Sequence, residues 1–391
     1  MLLALLLPGL ALAVDPAYET AAIPEKEDEA QLWESASKHE MRRRNAGTVF
    51  RDLHMERYLE DLADRLIGDR LDHLGIEIDF ILLREPTLSG WVYPYGTIGL
   101  HTGLLVRMDN EAQLAAIVAH EISHFMQRHT YREMLSKNRN KMLGKGLGLL
   151  MTAVAARETG NINTDILDVT ENFWTNLSVS GYSKKNEYVA DEEGLTLMLN
   201  AGYALDEALP AFEALGENSA YGAGDPRKMW SSHPRLEDRL SNLRKEIRKV
   251  KRQRGFQPGT VPAPEDYYRG IAPALLINAR LDLDVQQFER ARESLTRYLS
   301  VHPDLPEAHY LLGETYRRAR PLGPDFEDAH TAYAAALALD TAYGPALLEL
   351  GMTHRIAGRN EDALDAFSRY LEARPDAIDA GIVRAYMEEL R

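Results

Sequence analysis

The sequence contains no cysteine, which excludes a fold held together by disulfide bonds. Cations are also outnumbered: 45 Lys and Arg residues against 60 Asp and Glu residues give a formal net charge of −15. This surplus of negative charge argues against nucleic acid as the main partner. At 391 residues the chain is long enough for two domains, each with a buried core.

Long apolar runs are missing as well, since about eighteen uninterrupted apolar residues are needed to cross a bilayer. Residues 1–13 are apolar but short, and they end in Ala-Leu-Ala at 11–13, a small-x-small cleavage pattern. We expect a signal peptide here, with a buried N-terminal segment as the alternative. Residues 143–156 are apolar and glycine-rich but contain Lys145. They fit a buried or active-site-covering helix, or a peripheral membrane contact.

The segment 120–124 reads His-Glu-x-x-His. Apolar residues recur around it at about 3.6-residue spacing and predict a helix, with Asn110 as its N-cap. In a helix, His120 and His124 lie on one face and can bind one Zn²⁺. Glu121 is then placed to take a proton from water at the metal. The alternative is a chance match on a surface helix.

A zinc protease site needs a third protein ligand. The metzincin pattern requires glycine at 127 and histidine at 130, where this chain has Gln127 and Thr130. Glu187 and Asp191 lie four residues apart on a second predicted helix. We expect Glu187 to bind the metal and Asp191 to accept a hydrogen bond from a zinc-ligating histidine. A solvated helix face is the alternative for this pair.

Three segments together resemble a known family of zinc metallopeptidases, typified by the CAAX prenyl protease and the bacterial heat-shock membrane protease. They are His-Glu-x-x-His at 120–124, Glu-Tyr-Val-Ala-Asp at 187–191, and Ser-His-Pro at 232–234 followed by Arg239. The resemblance covers roughly residues 46–250.

The resemblance implies His120, His124 and Glu187 as zinc ligands and Glu121 as general base. It also places His233 at the active site, where three roles stay open. His233 is a structural hydrogen-bonding residue, a donor to the oxyanion, or a fourth zinc ligand that keeps the enzyme latent.

Residues 76–105 form the β portion of the sequence. Partial alternation at 76–83 predicts a half-buried strand, and 91–93 and 97–101 predict two more around a turn at 94–96. Zinc proteases typically receive the substrate backbone on an edge strand beside the motif helix. We expect 97–101 to be that edge strand, with an ordinary sheet strand as the alternative.

The C-terminal third of the chain repeats itself. Ala291, Ala329 and Ala363 mark one repeated position at spacings of 38 and 34 residues, and Leu-Thr-Arg-Tyr-Leu at 295–299 matches Phe-Ser-Arg-Tyr-Leu at 367–371. A helix–turn–helix period of about 34 residues is typical of tetratricopeptide repeats. We expect a surface that binds peptides or proteins, with a purely structural helical tail as the alternative.

The expected fold is α+β: a mainly helical, gluzincin-type metalloprotease domain with a small β-sheet, followed by an all-α tetratricopeptide-repeat solenoid. We expect a signal peptide at 1–13, an acidic lead and first helix at 14–45, the zinc metallopeptidase at 46–254, a flexible linker at 255–264 and the repeats at 265–391.

This combination resembles the periplasmic quality-control proteases of Gram-negative bacteria. The resemblance implies a periplasmic, zinc-dependent endopeptidase that hydrolyses misfolded or stalled outer-membrane proteins. Expected partners are unfolded or misassembled proteins and, through the repeats, the outer-membrane assembly machinery, with no nucleic acid and at most a peripheral membrane contact. The alternative is a chaperone or scaffold whose protease site is latent or vestigial.

Overall fold

A computed structural model describes residues 24, 26–74, 76–137, 181–216, 236–319 and 326–391. Three segments named above lie outside these residues: the expected signal peptide at 1–13, the glycine-rich stretch at 143–156, and 232–234 with His233.

The described part of the chain is mainly helical, with one small sheet, and this confirms the expected fold class. The strands are β1 (Val49–Phe50), β2 (Phe80–Leu83), β3 (Gly90–Val92) and β4 (Ile98–His101). The helices before residue 260 are α1 (Glu27–Arg44), α2 (Leu53–Ile67), α3 (Thr102–Arg107), α4 (Glu111–Met126), α5 (Lys184–Asn200), α6 (Ala208–Gly216) and α7 (Leu236–Lys251). The later helices are α8 (Pro264–Gly270), α9 (Ala272–Asp284), α10 (Phe288–Val301), α11 (Pro306–Ala319), α12 (Glu327–Leu339), α13 (Gly344–Ile356), α14 (Asn360–Ala373) and α15 (Ala380–Glu389).

The strand order is β1-β2-β4-β3, with β4 parallel to β2 and antiparallel to β3. The expectation that 97–101 forms the edge strand is therefore wrong, because β4 is paired on both sides. Ile98 and Leu100, both fully buried, suit such an interior strand. Among the described strands, β3 is the edge on the side of β4.

Different helices pack on the two faces of the sheet. One face joins the main core through Leu82, Ile98 and Leu100, together with buried residues of α2, α4 and α5. The other face packs against α1, whose Leu32 and Ala36 are fully buried beside strand residues. The motif helix α4 and the first helix α1 thus lie on opposite sides of one sheet.

The C-terminal helices pack directly on this core. Tyr267 of α8 is fully buried, and its hydroxyl donates to the carbonyl oxygen of Leu105 at 2.5 Å. Arg297 of α10 donates to the carbonyls of Val106 and Met108, each at 3.0 Å. The end of α3 is therefore held by the helices that begin the C-terminal region.

The expected linker, 255–264, makes backbone hydrogen bonds with the residues that follow α5. The amide of Thr260 donates to the Gly202 carbonyl at 2.8 Å, and the amide of Ala204 donates to the Thr260 carbonyl at 2.9 Å. These two bonds form a short parallel bridge that ties the segment to the end of α5.

Helix pairs in the repeats pack through glycine–aromatic contacts. A β-carbon at Gly313 would lie 2.4 Å from the ring of Tyr333, and one at Gly351 would lie 2.5 Å from the ring of Phe367. Only glycine allows so close an approach. Among the described helices, none is both long and apolar enough to span a membrane.

Candidate metal centre

The helix that carries His-Glu-x-x-His is buried almost throughout. Asn110 caps it as expected, since its side-chain oxygen accepts a hydrogen bond from the Gln113 amide at 3.0 Å. His120, Glu121 and His124 are each at most 1% exposed. The alternative of a chance match on a surface helix is therefore excluded.

The second predicted helix crosses α4 at the histidines. Ser183 caps α5 by accepting from the Asn186 amide at 3.3 Å. A β-carbon at Gly194 would lie 3.3 Å from the backbone nitrogen of His120, so a glycine here lets the two helices approach closely. Glu187, one turn into α5, reaches the two imidazoles as a result.

His120, His124 and Glu187 form a compact donor cluster. The Nε2 atoms of the two histidines lie 3.0 Å apart. Glu187 carboxylate oxygens lie 3.6 Å from His120 Nε2 and 3.7 Å from His124 Nε2. A tetrahedral zinc site with metal–ligand bonds of about 2.0–2.1 Å places neighbouring ligand atoms about 3.3 Å apart. Two imidazoles and one carboxylate at these separations fit a zinc ion.

Asp191 and Arg239 contact the donor cluster directly: Asp191 contacts His120, and Arg239 contacts Asp191 and Glu187. Asp191 Oδ1 lies 3.1 Å from His120 Nδ1, the ring nitrogen that points away from His124. Arg239 of α7 donates to Asp191 at 2.6 and 3.1 Å, and its Nη1 lies 3.0 Å from Glu187 Oε2. Burial alone would raise the pKa of Asp191, but the Arg239 charge and the hydrogen bond with His120 lower that pKa to about 2.

The buried acidic side chains of this cluster outnumber its buried arginine among the described residues. Glu121, Glu187 and Asp191 are each at most 2% exposed, and Arg239 is 1% exposed. With the carboxylates ionised, this set carries a formal charge of −2. Buried charges are stable only when paired or bound to metal. A divalent cation would offset this negative charge, in agreement with the donor geometry.

Profile comparisons agree with this geometry. The profile described as peptidase family M48 matches residues 54–247, and the tetratricopeptide repeat profile matches residues 278–321 and 325–378. The chain carries a peptidase family M48 metalloprotease domain followed by tetratricopeptide repeats. Helix α1 lies before the matched M48 residues.

Proteins similar to this chain include bacterial proteases and a mitochondrial metalloendopeptidase. The chain is 28% identical to the beta-barrel assembly-enhancing protease of Escherichia coli, over 59% of this chain and 46% of the relative. It is 25% identical to the protein of that name from Yersinia pestis, over 57% and 44%. A mitochondrial metalloendopeptidase of Arabidopsis thaliana is 28% identical over 41% and 30%. The chain spans about half the length of the bacterial relatives.

The edge strand β3 runs past Glu121 in the M48 domain. A β-carbon at Gly90 would lie 3.8 Å from Glu121 Oε1. Among the described strands, β3, at one edge of the sheet, is thus the one beside the motif helix.

Two side chains of the M48 domain that contact His124 were missed by sequence reasoning. His129 Nδ1 lies 2.9 Å from His124 Nδ1, and the Tyr182 ring stacks on His124 with centroids 4.0 Å apart. The hydroxyl groups of Thr130 and Tyr182 form a hydrogen bond of 2.9 Å. His129 follows the end of α4, where helical periodicity no longer indicates which face a residue occupies.

Proposed function

We propose that the protein is a periplasmic zinc endopeptidase that hydrolyses misfolded or stalled outer-membrane proteins. The observation that carries the proposal is the buried cluster of His120, His124 and Glu187, with Glu121 beside the first ligand. The M48 domain supports the reaction class. The names of the bacterial relatives support the substrate class, and the apolar stretch 1–13 supports export.

Each residue of the cluster has a distinct task. The Nε2 atoms of His120 and His124 and a Glu187 oxygen would hold the zinc, which would polarise the scissile carbonyl and lower the pKa of water to about 7. Glu121 takes the proton of the attacking water and delivers it to the leaving amine. Asp191 accepts the Nδ1 hydrogen of His120 and fixes its tautomer.

The edge of β3, which no other described strand pairs with, receives the substrate. A polypeptide adds as a new strand only when its backbone is extended and its hydrogen-bonding groups are free. Folded proteins rarely offer such a segment, so this mode of binding selects unfolded chains. Because β3 has only the residues Gly90–Val92, it offers few backbone bonds, and we expect broad sequence tolerance.

His233 completes the proposed site. It lies six residues before Arg239 in the sequence, and Arg239 contacts the cluster. We favour a blocking role, with the neutral imidazole as a removable fourth ligand that keeps the protease latent among unfolded exported proteins. Oxyanion donation and a structural hydrogen bond remain the competing roles.

The rival function is a chaperone or scaffold with a vestigial protease site. That function predicts loss of a ligand or of the base. His120, Glu121, His124 and Glu187 are all present and brought together, so we rank proteolysis first. The repeats then recruit substrates or the outer-membrane assembly machinery to the cleft, the use that such surfaces commonly have.

Glu121→Gln in the full chain tests the proposed reaction. The amide cannot accept a proton, so we expect zinc content to stay at the wild-type level while cleavage of unfolded casein falls at least about 100-fold. Glu192→Gln, an exposed change of the same type on α5, is the matched control and should keep full activity. Wild-type rates in Glu121→Gln, or a wild type without metal, would contradict the proposal.

A further inference from the structure

The end of α4 is an unusual turn. Arg128 has φ +52°, a left-handed conformation that a non-glycine side chain adopts only at some cost. Its amide donates to the Phe125 carbonyl at 2.8 Å, and residues 129–137 continue as a second helical stretch. Through this reversal His129, fully buried, comes to lie beside α4.

His129 and His124 share a hydrogen bond between like atoms. Their Nδ1 atoms are 2.9 Å apart, with ring planes at 72°. One nitrogen must donate and the other accept. When the Nε2 atom of His124 binds metal, its Nδ1 carries the hydrogen, so the Nδ1 of His129 is the acceptor. This contact fixes the tautomer and ring orientation of His124, as the contact with Asp191 does for His120.

Helix α1 secures the turn. Glu29, 3% exposed, binds Arg128 through both carboxylate oxygens, with Arg128 Nε at 2.9 Å from Oε1 and Nη2 on Oε2. A bidentate, charge-assisted pair restrains orientation as well as distance. It holds Arg128 in its left-handed conformation, and that conformation sets the position of the next residue, His129.

We propose, on the basis of the metal site proposed above, that Glu29, Arg128 and His129 form a positioning relay for His124. Helix α1 holds the turn, and the turn holds His129 on the second imidazole ligand, in one tautomer and one orientation. Zinc retention therefore depends on a helix that precedes the matched M48 residues 54–247.

Zinc affinity of the full chain, measured by competition with a chromophoric chelator, tests the relay. We expect His129→Ala to weaken zinc binding about 10–100-fold and Glu29→Gln to weaken it about threefold, because the loss of a partner of a metal ligand acts on affinity. His129→Gln, whose amide oxygen can accept the same hydrogen bond, should recover part of the loss. The visible spectrum of the Co²⁺-substituted protein should shift in His129→Ala, because the ligand field senses the orientation of His124.

Tyr131→Phe is the matched control. It removes the 2.8 Å bond from Tyr131 to Asp28, which joins the same two segments without touching His129. We expect a lower melting temperature with unchanged zinc affinity. Wild-type affinity in His129→Ala, or equal losses of affinity in Glu29→Gln and Tyr131→Phe, would overturn the relay while leaving the metal site intact. A wild type that binds no zinc would overturn the proposed function and the relay together.

Discussion

Replacing Arg239 with methionine tests the charge balance of the metal centre. Arg239 is 1% exposed, donates twice to Asp191 and contacts Glu187 at 3.0 Å. Methionine keeps much of the volume but removes the charge and every donor. Two buried carboxylates then lose their cationic partner.

The magnitude follows from that burial. Removing one partner of a buried ion pair costs about 3–5 kcal/mol, and we expect this loss in the unfolding free energy of the zinc-free protein. At about 2.1 cal/mol/K per residue, unfolding of the 391-residue chain has an entropy of about 0.8 kcal/mol/K, so the melting temperature falls by about 4–6 °C. In zinc-saturated protein the loss should be smaller, because the ion neutralises part of the Glu187 charge.

Urea denaturation followed by circular dichroism, with EDTA and with saturating zinc, measures both values. Lys184→Met is the matched control, because Lys184 and Asp238 also join α5 to α7, at 2.7 Å, but are exposed. Exposed ion pairs contribute little to stability, so we expect Lys184→Met to lose much less than Arg239→Met.

Two results would refute this reasoning. A zinc-free loss no larger in Arg239→Met than in Lys184→Met would show that the buried charges are stable without the guanidinium. Equal losses with and without zinc would show that the metal does not share the charge of Glu187.

Three further outcomes are expected. Asp191→Ala should weaken zinc binding about 10–100-fold without loss of helicity, and an unchanged dissociation constant in chelator competition would demote Asp191 to a structural carboxylate. Deleting residues 264–391 strips buried Tyr267 and Leu275 from the main core, so we expect an unstable fragment, and a soluble fragment with cooperative unfolding would contradict this. Burial and the Arg43 charge lower the pKa of His101 from 6.5 to about 4, so the stability that this neutral ring contributes is full above pH 6.5 and is lost as pH falls towards 4. Unfolding free energies at pH 7 and pH 5 should differ less in His101→Gln than in wild type, and equal differences would rule out this residue as a source of acid sensitivity.

The sequence by itself determined the local parts of this protein. Spacing of four residues on a helix places His120 beside His124 and Glu187 beside Asp191, whatever the rest of the chain does. Asn110 was recognisable as a cap because capping depends on residues three positions apart. The repeats were likewise recognisable from the sequence, because each helix pair has the same local pattern of small and apolar residues.

Features that depend on contacts between residues distant in sequence could be determined only from the tertiary structure. Alternation predicts a strand but not its neighbours, so only the pairing of β4 with β2 showed that β3 is the edge. Charge balance is equally non-local: Arg239 joins Asp191 across 48 residues, and Glu29 joins Arg128 across 99. His129 belongs to the same class, because a left-handed turn after the end of α4, invisible to helical periodicity, brings its ring back onto His124.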